Sequence, residues 1–434
     1  MDVRAMEKNP SDAPGIRLGP APGTRTILYL SSSIGLGHVS KDLAIAGELR
    51  RACPDLEIVW LAGDPARHVL AEAGETLLPQ ASRWSGASAI AERSMRGGQL
   101  NLVRYVYRSL PSFARNMRLV LSALGASKAD ALVGDEAWEI FVPLCMRILR
   151  LRVPFVMITD FVGVDAVGRN PIDRAGAYLL NALWSLDRDV IDGRPHSMIF
   201  IGEPEDIPDV PFGPGASSRR AHAEALYDFV GHAVRFRAEE MADREGLRRR
   251  LGYGREPLVI CAVGGTSVGA DLLDRCGAAF ASVRERIPGA RMVLVRGPRL
   301  AEGAVQAPPG VEVRGYVEAL YEHFACADVA VVQCGASSTT ELAALRTPFV
   351  YVPVPGHFEQ EQVAKRLERY GVGTRVALGD ATPDRLAAAI AYEWERSCVA
   401  AAMPVEGAAN AARHILGVLD GGSSSSAPPS AGDT

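Results

Sequence analysis

The stretch LYLSSSIGLGHVSKDLAIAGELR, residues 28–50, sets a single histidine, His38, where an apolar run gives way to small residues and a helix should begin. An imidazole titrates near neutral pH and could move a proton there; equally, it could be no more than an early residue of a helix. A second gathering of reactive types lies far downstream. In VVQCGASSTTELAALRTPFVYVPVPGHFEQEQVAKRLERYGVG, residues 331–373, Gln333 leads into Gly335, Ala336, Ser337, Ser338 and Thr339 ahead of Glu341. The next apolar run closes on Pro355, Gly356 and His357, with Glu359 and Gln360 behind it. The small-residue loop offers amide and hydroxyl donors to a diphosphate, Glu341 can accept two hydrogen bonds from ribose hydroxyls, and Glu359 with Gln360 can read the hydroxyls of a sugar. A third stretch, AVGGTS, sets Gly264, Gly265, Thr266 and Ser267 between a strand and a helix. The backbone can approach a ligand there and the helix N-terminus attracts phosphate, although a plain tight turn would use the same glycines.

These groups need a scaffold that brings distant loops together. Short Val/Ile/Leu-rich runs alternate with helical patterns along the chain: TRTILYLSSS, LEIVWLAG, ADALVGDE, PFVMITDF and SMIFIGE in the first half, then PLVICAVGGTS, RMVLVRGP, VEVRGYV, ADVAVVQCG and PFVYVPVPG. The runs are apolar on both faces, as buried parallel strands are. Between them, Val39, Leu43, Ala46 and Leu49 recur at helical spacing, as do Leu386, Ile390 and Trp394 behind a Thr382 cap and Pro383. The alternation predicts an α/β fold of two doubly wound, Rossmann-like domains, with ligands outside the carboxyl ends of the strands. The Pro-rich stretch 203–220 interrupts the periodicity and marks the boundary. The expected division is a first domain at 25–210, a linker at 211–221, a second domain at 222–400 and a C-terminal helix at 401–420, with disordered ends at 1–24 and 421–434.

Composition bounds the function classes. The 434 residues are 48% hydrophobic, enough for two cores. A formal charge of -4 gives no reason to expect a nucleic-acid partner, and 43 Arg against 4 Lys reads as coding bias. Seven scattered cysteines without metal-ligand spacing read as small buried residues in a reducing compartment. With no apolar run of signal-peptide or membrane-spanning length, a cytoplasmic location follows as the expectation, peripheral contact with the inner face of a membrane staying open.

The segment from 257 to 375 resembles the donor-binding region of GT-B glycosyltransferases that use nucleotide sugars. The likeness is to families 1 and 28, which include bacterial natural-product glycosyltransferases and the peptidoglycan-precursor N-acetylglucosaminyltransferases. Gly335, Ser338, Thr339 and Glu341 fit the family's H-x-G-x-G-S-T-x-E element, and Glu359, Gln360 and Ala364 fit the element after the next strand. Three positions depart: Gln333 stands for a phosphate-contacting His, Ser337 for a Gly and Val363 for an Asn. The resemblance implies that Tyr316 and Val317 lie by a uracil or thymine base, and that a first domain holds the acceptor. Gly35, Leu36, Gly37 and His38 match the family's G-x-G-H turn. It implies His38 as the general base of an inverting transfer, a proton acceptor for the attacking hydroxyl, kept neutral by the helix dipole. Asp135, ending the strand in ALVGDE, stands where family 1 enzymes keep the carboxylate that orients the base, and Asp160, ending VMITDF, is the other candidate on the acceptor side. No metal or other cofactor is implied, because loop donors and helix dipoles stabilise the leaving diphosphate. The triplet Asp187 to Asp189 has the form of a D-x-D metal motif but lies among helical residues, not at a strand end.

The expected activity is therefore transfer of a hexose-type sugar from a UDP-sugar, with dTDP-sugar as second choice, to a hydroxyl of a lipid or small natural product. Two rivals share the fold: a non-hydrolysing UDP-N-acetylglucosamine epimerase, and a catalytically silent nucleotide-sugar-binding subunit that serves a partner. Arg93, Arg96, Arg104, Arg108, Arg115 and Arg118, interleaved with apolar residues in 82–125, suit either anionic lipid or an ordinary solvated helix face.

Overall fold

The computed structural model describes residues 24–32, 36–84, 95–96, 99–100, 102–164, 171–191, 196–264, 269–297, 300–317, 319–355, 357–396 and 403–421. The two chain ends, together with Gly35, Gly265, Thr266 and Arg93, lie outside the described residues.

Each of the ten apolar runs is a strand. The first sheet holds β1 (Thr26–Ser31), β2 (Glu57–Ala62), β3 (Thr76–Leu77), β4 (Ala131–Asp135), β5 (Phe155–Thr159), β6 (His196–Phe200) and β7 (Asp228–Phe229). Its spatial order is β3-β2-β1-β4-β5-β6-β7, parallel throughout. The second holds β8 (Leu258–Ala262), β9 (Arg291–Val295), β10 (Val311–Arg314), β11 (Val329–Gln333), β12 (Phe349–Val352) and β13 (Thr374–Arg375), ordered β10-β9-β8-β11-β12-β13 and again all parallel. In both sheets the strand order reverses between the first strand and the fourth, which opens a crevice at their carboxyl ends. His38 follows β1 and Asp135 ends β4; Gly264 follows β8 and Gln333 ends β11. The reactive loops thus stand at the switch point of each sheet.

Both faces of each sheet are covered, so the strands read as continuous apolar runs. Leu28, Leu30, Val59, Leu61, Leu132 and Met157 pack on one face of the first sheet, and Ile27, Tyr29, Ile58, Trp60, Val133 and Ile158 on the other. That second face is closed partly by the last helix, Gly407–Leu419, whose Ala408, Ala411, Ala412 and Ile415 join the same core. This last described helix therefore packs on the first domain, although it follows the second in sequence.

The linker expected at 211–221 is corrected by this architecture. Residues 211–226 remain with the first domain: Phe212, Ala223 and Tyr227 are buried in its core, Arg219 is buried beside them, and β7 extends its sheet. The prolines of 203–220 break the periodicity because the segment is an irregular packed connection, not because the domain ends there. The crossing comes later, around 231–243, where it runs against the returning chain: His232 N donates to Pro404 O at 2.8 Å and Gly407 N to His232 O at 2.9 Å. Cys145, Cys261, Cys276, Cys326 and Cys334 are buried as expected, and no disulfide joins the described cysteines.

A buried ion network ties the two domains. Arg366 Nε, on the helix Phe358–Tyr370 of the second domain, donates to Asp206 Oδ1 at 2.9 Å, and Arg369 reaches both Asp206 Oδ1 (3.1 Å) and Glu203 Oε2 (2.8 Å). Tyr370 also donates to Glu203. Removing one partner of a buried pair leaves the other charge without compensation. Arg366→Met should therefore lower stability by about 3 kcal/mol in urea unfolding, the low end for such a break because Arg369 remains. A loss under about 1 kcal/mol would place the network among ordinary surface pairs.

Candidate active site

His38 is the third residue of the helix Leu36–Ala52, which follows β1. Its Nδ1 lies 2.7 Å from Asp135 Oδ2. Asp135 is fully buried, and Glu136 after it takes φ 50, a left-handed turn that few non-glycine residues adopt. The Glu136 side chain accepts from Trp138 Nε1 at 2.8 Å and from the Asp160 amide at 3.3 Å, which fixes the turn. Of the two carboxylates considered for orienting His38, Asp135 makes the contact. Asp160, one strand over, reaches Lys41 instead, at 3.2 Å. With Nδ1 committed to Asp135, Nε2 is the nitrogen left for a substrate.

The electrostatics correct one expectation. Burial pulls the His38 pKa down, but the Asp135 carboxylate, helped by Asp160 and opposed by Lys41, carries it up to about 10. The helix N-terminus disfavours the imidazolium, but Asp135 with Asp160 acts in the other direction and favours it. Asp135 itself is destabilised by burial, yet Lys41 and His38 bring it below the usual carboxylate range. Burial likewise works against the Asp160 carboxylate, and Lys41 and His38 lower it to about 2. Glu136 goes the other way, raised to about 8 by burial and by its neighbours Asp160 and Asp135. Asp42, which accepts from Ser31 Oγ (2.5 Å) and Tyr29 Oη (3.1 Å), is pushed well above its ordinary value by burial and by Asp135.

Across from this cluster stands the loop after β11. Gly335 caps the helix Ala336–Leu345 with extended backbone (φ -81, ψ 140), so the first-turn amides of Ala336, Ser337 and Ser338 have no partner within the helix. Ser337 and Ser338 are half-buried, whereas Thr339 is buried and its hydroxyl donates back to Gly335 O at 2.8 Å. Thr339 therefore shapes the loop. Glu341 is buried on the same helix, and burial, opposed by Arg235, raises its carboxyl to about 7. After β12, Gln360 is buried and its Oε1 accepts from Val354 N at 2.8 Å, bracing the turn before its helix, while His357 and Glu359 are exposed. Gln333 is buried at the end of β11, Tyr316 is 44% exposed after β10, and Val317 packs partly into the core. Gly264 borders residues outside the described set, with open space where a Cβ would stand. Val363 and Ala364, the family-departing and family-matching neighbours, are core residues.

The two domains also meet at the site itself. A Cβ on Gly37 would meet Ser337 Oγ at 2.6 Å, so glycine is what allows the His38 turn to approach the small-residue loop. The Gly37 backbone thus lies against the Ser337 side chain across the domains.

Sequence reasoning missed Lys41, Asp42, Glu136 and Arg235. Lys41 and Asp42 lie on a helix where charged residues ordinarily read as its solvated face; only their position one turn after His38 could have flagged them. Asp187 of the D-x-D triplet is a packing residue, accepting from His222 Nε2 at 2.7 Å and from Tyr227. Among the described residues, Glu203, Asp206 and His232 bring ligand atoms within 4.8 Å of one another. Both carboxylates there already face Arg366 and Arg369, two fixed positive charges that oppose a cation. Arg115 and Arg118 are exposed on the helix Leu102–Ser127; the side chains of Arg96, Arg104 and Arg108 are outside the described set. No described helix is long and apolar enough to cross a membrane.

Residues 259–416 match the glycosyltransferase family 28 C-terminal domain. The chain is 29% identical over 194 residues to an uncharacterized glycosyltransferase of Methanopyrus kandleri, a match that takes in 44% of this chain and 54% of the relative, so that it spans about half the relative's length. It is 34% identical over 380 residues to the UDP-N-acetylglucosamine–N-acetylmuramyl-(pentapeptide) pyrophosphoryl-undecaprenol N-acetylglucosamine transferase of Bifidobacterium longum, covering 80% of this chain and 84% of that one. Among solved structures, the glycotransferase of kitacinnamycin shares the fold, with a TM-score of 0.59 at 19% identity over 92% of this chain and 98% of that chain.

Proposed function

The chain belongs to glycosyltransferase family 28, and from that premise we propose that it is an inverting transferase. It would move a hexose-type sugar from a nucleotide diphosphate sugar, UDP-sugar first and dTDP-sugar second, onto a hydroxyl of a lipid or small natural product. The observation that carries this reading is the join between the halves: Gly37 abuts Ser337 of the small-residue loop, and the next residue, His38, is held by Asp135 at 2.7 Å. A base and a diphosphate cradle thereby face one another.

In this reading, the amides of Ala336, Ser337 and Ser338 take the diphosphate, Glu341 the ribose hydroxyls, and Glu359 and Gln360 the sugar. His38 Nε2 accepts the proton of the attacking hydroxyl while the C–O bond to the diphosphate breaks and the amides take up its charge. The ring must first shed the proton it holds in the free protein. Asp135 then stabilises the imidazolium that forms. No metal ion is required of this arrangement. A lipid acceptor draws support from the pyrophosphoryl-undecaprenol substrate named for the Bifidobacterium longum relative.

A thermal-shift screen over UDP-, dTDP- and GDP-sugars tests the donor. A ligand at 100 times its dissociation constant adds about 2.7 kcal/mol of stability, and the UDP-sugars should give the largest rise in Tm. A flat response across all nucleotide sugars would sink the transferase reading.

A further inference from the structure

Lys41 has no part in the chemistry described so far, yet it occupies the centre of the acidic cluster. It lies one turn beyond His38 on the same helix and is 8% exposed. Its Nζ stands 3.1 Å from Asp135 Oδ1 and 3.2 Å from Asp160 Oδ2. The Asp135 carboxylate is thus shared: Oδ2 faces the imidazole and Oδ1 the ammonium. An ammonium this deeply placed is costly unless it offsets charge that would otherwise be worse, and two carboxylates at adjacent strand ends are such a charge.

We propose that Lys41 is the positioning residue of this site: by bridging Asp135 and Asp160 it holds both carboxylates in place and sets how much net negative charge the His38 ring meets. The proposal rests on the reading of His38 as the proton acceptor. The groups facing that ring are Lys41 and Asp42 on its own helix, Asp135 and Glu136 from the end of β4, and Asp160 from the end of β5, with Arg366 acting on Asp160 from the second domain. Among them Lys41 is the cation that opposes the carboxylates at the ring. A ring facing the carboxylates without it would take the acceptor's proton readily and release it slowly, and the enzyme would stall as imidazolium.

The test reads the ring charge directly, by 15N NMR of histidine-labelled protein, with His38 identified as the signal lost in His38→Ala. Near pH 10 the wild-type ring should be about half protonated. In Lys41→Met more than about nine-tenths should be imidazolium, a shift of one pKa unit, with kcat at pH 8 down about tenfold and the donor KM unchanged. Lys41→Arg should restore the wild-type proportion. A Lys41→Met ring with the wild-type proportion at that pH would overturn the proposal, since a merely structural lysine would change stability and leave the ring charge where it was. Should Lys41→Met fail to fold, Asp160→Asn and the double variant carry the test, because they leave fewer uncompensated carboxylates. The double variant must then be more highly protonated than Asp160→Asn alone, and equality between them refutes the proposal. The ring readout needs no substrate: an unmoved ring sinks the role of Lys41, whereas a missing transferase activity sinks the transfer reading.

Discussion

His38→Ala should lower kcat by about 10²–10⁴-fold, the usual worth of a positioned general base, while the affinity for a nucleotide sugar stays within about twofold. The split follows from geometry. His38 belongs to the first domain and meets Asp135, whereas the residues proposed to hold the donor lie on loops of the second. Its charge state adds a sharper expectation. With burial outweighed by Asp135 and Asp160, the ring pKa stands at about 10, so at neutral pH only a small fraction of molecules carry a ring able to accept a proton. For the wild type, log kcat/KM should climb by about one per pH unit above pH 7, where Glu341 is ionised, and level off only on the alkaline side. Asp135→Asn should move that limb downward in pH, because it removes the largest influence raising the ring. Steady-state kinetics from pH 6 to 9.5 would decide it. A flat profile, or a His38→Ala variant keeping more than a tenth of wild-type turnover, would remove His38 from the chemistry.

That charge state was not legible in the sequence, and the reason is physical. A G-x-G-H turn shows a histidine at a helix start, and from that alone the dipole argues for a neutral ring. The opposing charges come from carboxylates 97 and more positions away that only the strand order brings together. What was legible came from period and composition: ten apolar runs, buried on both faces, gave ten parallel strands, and the strand ends carried the reactive groups. The two-residue strands β3, β7 and β13 were invisible because two residues show no alternation. Overlooking β7 is what displaced the domain boundary, since the prolines before it looked like an ending. Lys41 and Asp42 escaped for a related reason. A charged pair on a helix normally faces water, and only the tertiary packing of that helix over β1 and β4 turns it inward.

Glu341 carries the second large effect, and it is a pH dependence of binding. Burial, opposed by Arg235, raises its carboxyl to about 7 in the free protein. A carboxylate accepting two ribose hydroxyls must be ionised to do so, and the hydrogen bonds then favour the charged form. Binding should therefore release a proton wherever the free carboxyl is protonated. The sign follows: affinity for UDP rises with pH up to about 7, then becomes level, and weakens about tenfold for each pH unit below it. Isothermal titration from pH 5 to 8.5, repeated in buffers of different ionisation enthalpy, reads both the slope and the proton count, which should approach one released per UDP at pH 5.5. Glu341→Gln keeps the shape of the side chain and one acceptor oxygen but cannot ionise. It should bind UDP at least about tenfold more weakly at pH 8, with the Glu341 part of the slope gone. The diphosphate also titrates near pH 6, so the decisive quantity is the difference between the two proteins. Equal slopes in wild type and Glu341→Gln would assign the pH dependence to the ligand and leave Glu341 a buried helix residue with no hand on the ribose.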